Sequence, residues 1–260
     1  MKRSIWTLFL FLFASTVYSK NLVKTTAEYI DEGISAYDEG DFYNAVGLFS
    51  KAVESNQLSN GNFSEGHLLF NLGNAYYKNS ESAGAIAAYL AAKRFLPRDA
   101  DLNANLKIVS KTIKDDIDMK LSLNSSGEIL PFLEVLTVGE LKLVVASVFV
   151  VFAMVSLLVK NSELRNTGRA FLGAGILWAI VGLFIIGLKK DNDIAYATAR
   201  TNSLSVMSSP GKAGIELFKV NSGTPMSVLS KAGPYLKTSI TLKNGELKKG
   251  WVKTEDIYLY

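Results

Sequence analysis

The chain has 260 residues, 48% of them apolar and 20% charged, with a mean hydropathy of +0.18 and a net charge of +4. That length suffices for about two domains, and a high hydropathy beside so many charges means that the apolar excess is gathered into segments. Cys is absent and His67 is the single His, which excludes disulfides, thiolate or multi-His metal sites, Cys nucleophiles and any Ser-His-Asp triad not built on His67.

Lys2 and Arg3 precede an apolar run over residues 5–13; Ala14, Ser15 and Thr16 follow, and Val17-Tyr18-Ser19 offers small residues at the usual cleavage offsets. This is the pattern of a secretory signal peptide over residues 1–19. Its apolar run is too short to cross the ~30 Å of a bilayer's hydrocarbon.

Residues 20–121 read as helices, with two self-similar segments. In the first, Gly33 is followed by Ala45, Phe49 and Ala52; in the second, Gly73 is followed by Ala85, Tyr89 and Ala92, at the same spacings of 12, 4 and 3. Small residues let paired helices approach, the aromatics fill the space between them, and Pro97 closes the second pair. Asp99 is placed to N-cap a fifth helix. Leu102, Leu106, Val109, Ile113, Ile117 and Leu121 then form an apolar stripe that predicts a capping helix. The first segment carries seven acids (Glu28, Asp31, Glu32, Asp38, Glu39, Asp41 and Glu54) against one base, Lys51. Such a face is solvated or meets a basic partner.

Residues 122–130, rich in Ser, Asn and Gly, read as a linker. Pro131 is expected to start a helix over residues 131–159 that includes a first span at about 141–159. Residues 143–159 and 170–188 are free of charge. At 1.5 Å per residue each covers about 26–28 Å, enough for a bilayer once the flanks are added. Gly173, Gly175, Gly182 and Gly187 suit close helix–helix approach. The connecting loop, residues 160–169, holds Lys160, Arg165 and Arg169 against Glu163. That excess predicts a cytoplasmic loop with both flanking domains outside.

From residue 194 the texture changes. Six β-type runs, over residues 194–199, 203–206, 216–220, 226–229, 236–242 and 250–252, alternate with turn signals such as Ser209-Pro210-Gly211, Asn221-Ser222-Gly223 and Asn244-Gly245. Asn-Gly between alternating runs is a strong hairpin signal, and six short strands predict a small all-β barrel over residues 194–260.

The helical segments resemble the tetratricopeptide repeat, although Gly33 to Gly73 is 40 residues where the family has ~34. The extra residues sit in a turn-rich loop at residues 59–64. The resemblance implies a groove lined by the first helix of each pair: Ile30, Ile34 and Tyr37, then His67, Phe70, Asn71, Asn74 and Tyr77, then Asp101 and Asn105. Asn amides donate and accept, which suits the backbone of an extended peptide. The basic residues with which some members clamp a terminal carboxylate have no full counterpart, since Ile30 and Ile34 stand at two of those places. The C-terminal segment resembles the bacterial SH3 (SH3b-like) domain through Ser208-Ser209-Pro210, the turn at residues 218–224, Asn244-Gly245 and Gly250-Trp251-Val252.

The fold class expected is thus a multidomain membrane protein: an all-α tetratricopeptide repeat solenoid, two transmembrane helices and a small all-β SH3-like barrel. This order of parts resembles the BatE type of Bacteroides aerotolerance proteins. The resemblance implies a non-enzymatic scaffold or adaptor of an envelope stress-tolerance system, held in the bacterial inner membrane. Its implied partners are von Willebrand factor A proteins, other repeat proteins and, indirectly, a MoxR-type AAA ATPase, besides the lipid bilayer. The rival reading is a cell-wall receptor that binds peptidoglycan through the SH3b-like domain. No catalytic, metal or cofactor site is expected, and the basic excess is too slight for nucleic acid.

Overall fold

The computed structural model describes residues 24–58, 64–115, 136–159, 165–191, 196–211 and 213–260. The expected signal peptide, the linker at residues 122–130, Pro131, and Ile117 and Leu121 of the apolar stripe lie outside the described residues.

Four helices form two antiparallel hairpins: α1 (Thr26–Asp38) with α2 (Phe42–Leu58), and α3 (Glu65–Lys78) with α4 (Ser82–Lys93). Thr25 and Glu28 form a capping box that fixes the start of α1, the Glu28 amide donating to Thr25 Oγ1 and the Thr25 amide to Glu28 Oε2. In each hairpin a glycine of the first helix is set against a ring of the second, and the second hairpin adds the reverse contact, Gly84 of α4 against Tyr76 of α3. A Cβ on Gly33 would stand 2.9 Å from the Phe49 ring, and one on Gly73 would stand 2.5 Å from the Tyr89 ring. The matched spacings of the sequence are therefore matched contacts, each too close for any side chain but hydrogen. At the corresponding turns the first hairpin has Gly40 at φ +82° and the second has Ser80 at φ +64°.

In α4 every residue from Ala83 to Ala92 is buried. A helix apolar on all sides needs cover on all sides. Here α3, the following helix and two strands of the C-terminal sheet supply it.

Asp99 N-caps α5 (Ala100–Val109), its Oδ1 accepting from the Leu102 amide at 2.8 Å. Leu102, Leu106 and Val109 are buried as the stripe requires. The expected unbroken helix is corrected within the described residues: it ends at Val109, followed by one 3₁₀ turn (Ser110–Thr112) and extended backbone at Ile113. The hydroxyls of Ser110 and Thr112 donate to the carbonyls of Lys107 and Val109, which takes over backbone acceptors and ends the ladder. Asp115 then turns to the C-terminal sheet. Its carboxylate accepts from the Asn221 backbone amide at 2.7 Å, from the Asn221 side-chain amide at 2.5 Å and from the Thr224 hydroxyl.

Two helices, α6 (Val138–Leu158) and α7 (Arg165–Asp191), are long and apolar enough to cross a membrane. The start of α6 is not at Pro131. Thr137 is extended, at ψ 159°, and forms a capping box with Glu140 that begins the helix at Val138. The expected loop at residues 160–169 is shorter, because α7 begins at Arg165. Gly168, drawn into α7 by that start, packs on Val159 and the Ser156 carbonyl. Gly175 meets Phe152 and Gly182 meets Val145, so glycines seven apart form one seam. Gly173 and Gly187, expected to share this role, have open space where a Cβ would point, since they lie off the seam.

The C-terminal part is one antiparallel sheet of seven strands: β1 (Tyr196–Ala199), β2 (Leu204–Met207), β3 (Glu216–Val220), β4 (Pro225–Ala232), β5 (Tyr235–Thr241), β6 (Leu247–Lys253) and β7 (Ile257–Leu259). Their order is β3-β2-β6-β5-β4-β1-β7. The seventh strand corrects the expected six. It is three residues long, too short for a period-2 pattern to show, and it is recruited by β1 with Thr198 opposite Tyr258. Val206, Val220, Met226, Leu236, Val252 and Ile257 fill the interior of this part.

Sheet and helices are not separate bodies. β1 and β7 pack on α4, with the Thr198 hydroxyl donating to the Ala83 carbonyl at 3.0 Å. The Tyr258 hydroxyl donates to Glu81 at 3.1 Å, and the hydroxyls of Tyr76 and Tyr260 meet at 2.9 Å. Arg98, between α4 and α5, pairs with Glu140 at the start of α6.

Candidate functional site

The sheet covers α4, and an open cavity lies among α1, α2 and α3. It measures about 290 Å³ and is lined by Ile34, Tyr37, Phe49, Asn71 and Asn74. Its geometry follows from the two glycine contacts. Gly33 faces α2, so the next residue, Ile34, turns outward and is 44% exposed. Tyr37 follows one turn later and meets Phe42 edge-on at 5.3 Å. Phe49, buried to 2% exposure, forms the floor. On α3, Gly73 faces Tyr89, which leaves Asn71 on the far side, toward the cavity, and Asn74 between the cavity and Tyr89.

The two Asn residues differ in what they hold. Asn74 Oδ1 accepts from the Tyr89 hydroxyl at 2.7 Å and from Asn105 Nδ2 at 3.1 Å. This bond network ties α3 to α4 and α5, and burial pushes the Tyr89 hydroxyl well above the usual tyrosine range. Burial likewise raises Tyr37, with the charge of Asp38 adding to it. The half-buried Asn71 amide makes no hydrogen bond to a described residue. Asn71 is thus free to meet a ligand, whereas Asn74 is a strut.

Of the residues that the sequence placed in the groove, Ile34, Tyr37, Asn71 and Asn74 line one cavity, and Asn105 joins through Asn74. Ile30 and Phe70 pack against the helical core, Phe70 with its ring 5.9 Å from that of Tyr89. His67, Tyr77 and Asp101 are exposed and stand outside the cavity. The His67 ring bonds the Ser64 hydroxyl through Nδ1 at 2.8 Å. Phe49 was legible as a packing residue through its spacing from Gly33, but not as the cavity floor.

The acid-rich outer face of α1 and α2 is largely committed to bonds within it. Glu32 pairs with Lys24 at 2.6 Å, Glu39 accepts from the Ser35 hydroxyl, and Asp41 accepts from the Asn44 amide. Among the described residues no three His, Asp or Glu side chains gather as metal ligands would. On the sheet, Trp251 is half-buried in β6, with the Lys237 ammonium 6.0 Å from its ring. Comparison with protein families and with curated proteins found no match to the chain.

Proposed function

We propose that the chain is a membrane-anchored, non-enzymatic scaffold, whose helical part is a tetratricopeptide-type solenoid that binds a protein partner in its groove. On this reading it serves an envelope stress-tolerance system of the BatE type, with von Willebrand factor A proteins and other repeat proteins as partners and a MoxR-type AAA ATPase acting indirectly. The observation that carries it is the cavity of about 290 Å³ with the unengaged Asn71 amide at its edge, left open while the sheet covers α4. An amide beside an apolar floor offers a donor, an acceptor and a place for a side chain, the three things an extended peptide needs.

The contact between sheet and α4 supports a head in which both parts stand on one side of the bilayer. The excess of Lys160, Arg165 and Arg169 over Glu163, where α6 gives way to α7, supports placing that head outside, because a basic turn favours the cytoplasm. The sheet, read as SH3b-like, would then serve as a rigid back to the groove.

Purification of the tagged protein from membranes tests the reading. Recovery of a stoichiometric protein partner, lost in a folded Ile34→Gln variant, supports it. Sedimentation with purified cell wall, unchanged by Ile34→Gln and without a stoichiometric protein, would transfer the role to the sheet and its Trp251. Sidedness is read separately with an impermeant thiol reagent on spheroplasts. Cys placed at Glu39 or at Asn244 should react and Cys at Asn166 should not; the reverse pattern would invert the topology.

A further inference from the structure

We infer that the groove takes an internal peptide segment bearing one large apolar side chain between basic residues, and not a chain terminus. The inference rests on the reading of this groove as a partner site. A cavity of about 290 Å³ lies at the lower bound of small-molecule pockets, which begin at ~300 Å³. That is room for one bulky side chain. Ile34, Tyr37 and Phe49 give it apolar and aromatic walls, and among the described residues no cationic side chain lines it. A terminal carboxylate would be desolvated there without a charge to meet it, which is costly. The Asn71 amide can instead bond one N–H and one C=O of a peptide that runs past it.

The rim sets the flanks. Asp31 and Asp38 stand three before and four after Ile34, on the same face of α1, and Asp101 stands four before Asn105 on α5. All three are exposed, and none has an ion-pair partner among the described residues. On the groove face of α3 only Lys78 and His67 oppose them, so the rim is net acidic. Exposed charges of this kind choose the partner and speed its arrival more than they tighten it, and salt screens them.

The test uses the full chain in a non-ionic detergent and labelled nonapeptides, N-acetylated and C-amidated, read by fluorescence anisotropy. The reference peptide has Phe at its centre and two Lys on either side. We expect it to bind about tenfold tighter than its Phe→Ala version, from burial of the ring. It should also bind more tightly than a Glu-flanked version and than a peptide ending in a free Phe carboxylate. Ile34→Gln should remove the preference for Phe. Combined Asp31→Asn, Asp38→Asn and Asp101→Asn should remove the preference for Lys over Glu and leave the preference for Phe. A preference for Glu flanks or for the free carboxylate, or no binding of any of these peptides, overturns the inference. If partner recovery from membranes still depends on Ile34 in that case, the groove reading stands and only this chemistry falls; if recovery does not depend on Ile34, the groove reading itself has failed.

Discussion

The hydroxyl of Thr198 in β1 donates to the carbonyl of Ala83 in α4 at 3.0 Å, with both residues buried and 115 positions apart. The small side chains of α4 make this approach possible. Beside it Gly223, at φ +83°, lets a turn of the sheet close on Ile86, where a Cβ would stand 3.0 Å from Ile86 Cδ1. Helices and sheet thus dock on one another, with Tyr196, Tyr258 and Tyr260 packed against the helical core, although the two apolar helices stand between them in the chain.

Thr198 should therefore govern docking of the sheet. Thr198→Val keeps the shape and gives up one buried hydrogen bond, at a cost of about 0.5–1.5 kcal/mol. Thr198→Lys drives an ammonium into a fully buried position and should separate the two parts. Because the chain has no Cys, spin labels can be placed at Glu39→Cys and Asn244→Cys alone. A single narrow distance distribution is expected for the parent and for Thr198→Val, and a broad one for Thr198→Lys. A narrow distribution in Thr198→Lys would show that docking is held elsewhere.

The tyrosines beside Thr198 make docking sensitive to alkali. Burial, and then the charge of Glu81, pushes the Tyr258 hydroxyl up to about 12, and burial raises Tyr260 as well. A folded-state value above the ~10 of an unfolded tyrosine means stability that is fully present below pH ~10 and lost as pH rises through the folded value. The label distribution should stay narrow at neutral pH and broaden between about pH 10 and 12. Tyr258→Phe removes one of the titrating groups, so its loss of docking should be less steep in that window. Circular dichroism separates undocking from unfolding. An unchanged pH profile in Tyr258→Phe would take Tyr258 out of the account.

Much of this architecture was legible in the sequence where a contact is local or repeated. Gly33 with Phe49 and Gly73 with Tyr89 betray two helix pairs because each glycine exists to admit its ring. The start of α6 was also written there, as Thr137 and Glu140 at capping-box spacing, but Pro131 drew the boundary too early. The cover on α4 was not legible. An Ala-rich helix says that it is buried on all sides, but not that β1, more than a hundred residues on, does the burying. In the groove, Asn71 and Asn74 look alike, three apart on one helix. Only Tyr89 and Asn105, 15 and 31 residues from Asn74, decide which amide is already spent.

The glycine seam between α6 and α7 can be tested against its near neighbours. A Cβ on Gly182 would lie 2.4 Å from Val145, whereas one on Gly173 meets nothing within 4 Å. Gly182→Leu should part the helices, since overpacking of a tight contact costs about 1–3 kcal/mol, while Gly173→Leu should not. The readout is a disulfide between Phe152→Cys and Gly175→Cys. A Cβ at Gly175 would stand 2.8 Å from that of Phe152, so a small separation of the helices reaches the ~3.5–4.5 Å that a disulfide requires. The cross-link should form under mild oxidation in the parent and in Gly173→Leu, and slow markedly in Gly182→Leu. Equal rates in all three would remove Gly182 from the contact.

The division of labour between the two Asn residues predicts opposite outcomes for stability and binding. Asn74→Ala leaves the Tyr89 hydroxyl and the Asn105 amide without their shared acceptor, and Tyr89 is only 1% exposed. An unsatisfied buried group costs about 1–3 kcal/mol. Asn105 can turn its own carbonyl toward Tyr89 and recover part of that, so the loss should fall near the lower figure. Asn74→Asp keeps an acceptor for both donors and should restore most of the stability, which a mere change of side-chain volume would not explain. Asn71→Ala touches no internal bond among the described residues, and should change stability by no more than about 0.5 kcal/mol. Partner binding should follow the reverse order, falling most with Asn71→Ala while the fold stays intact. Urea denaturation of the helical signal, measured beside partner recovery for the same three variants, decides the matter. Stability loss in Asn71→Ala, or full partner recovery from it, would mean that the open amide is not the one that reads the partner.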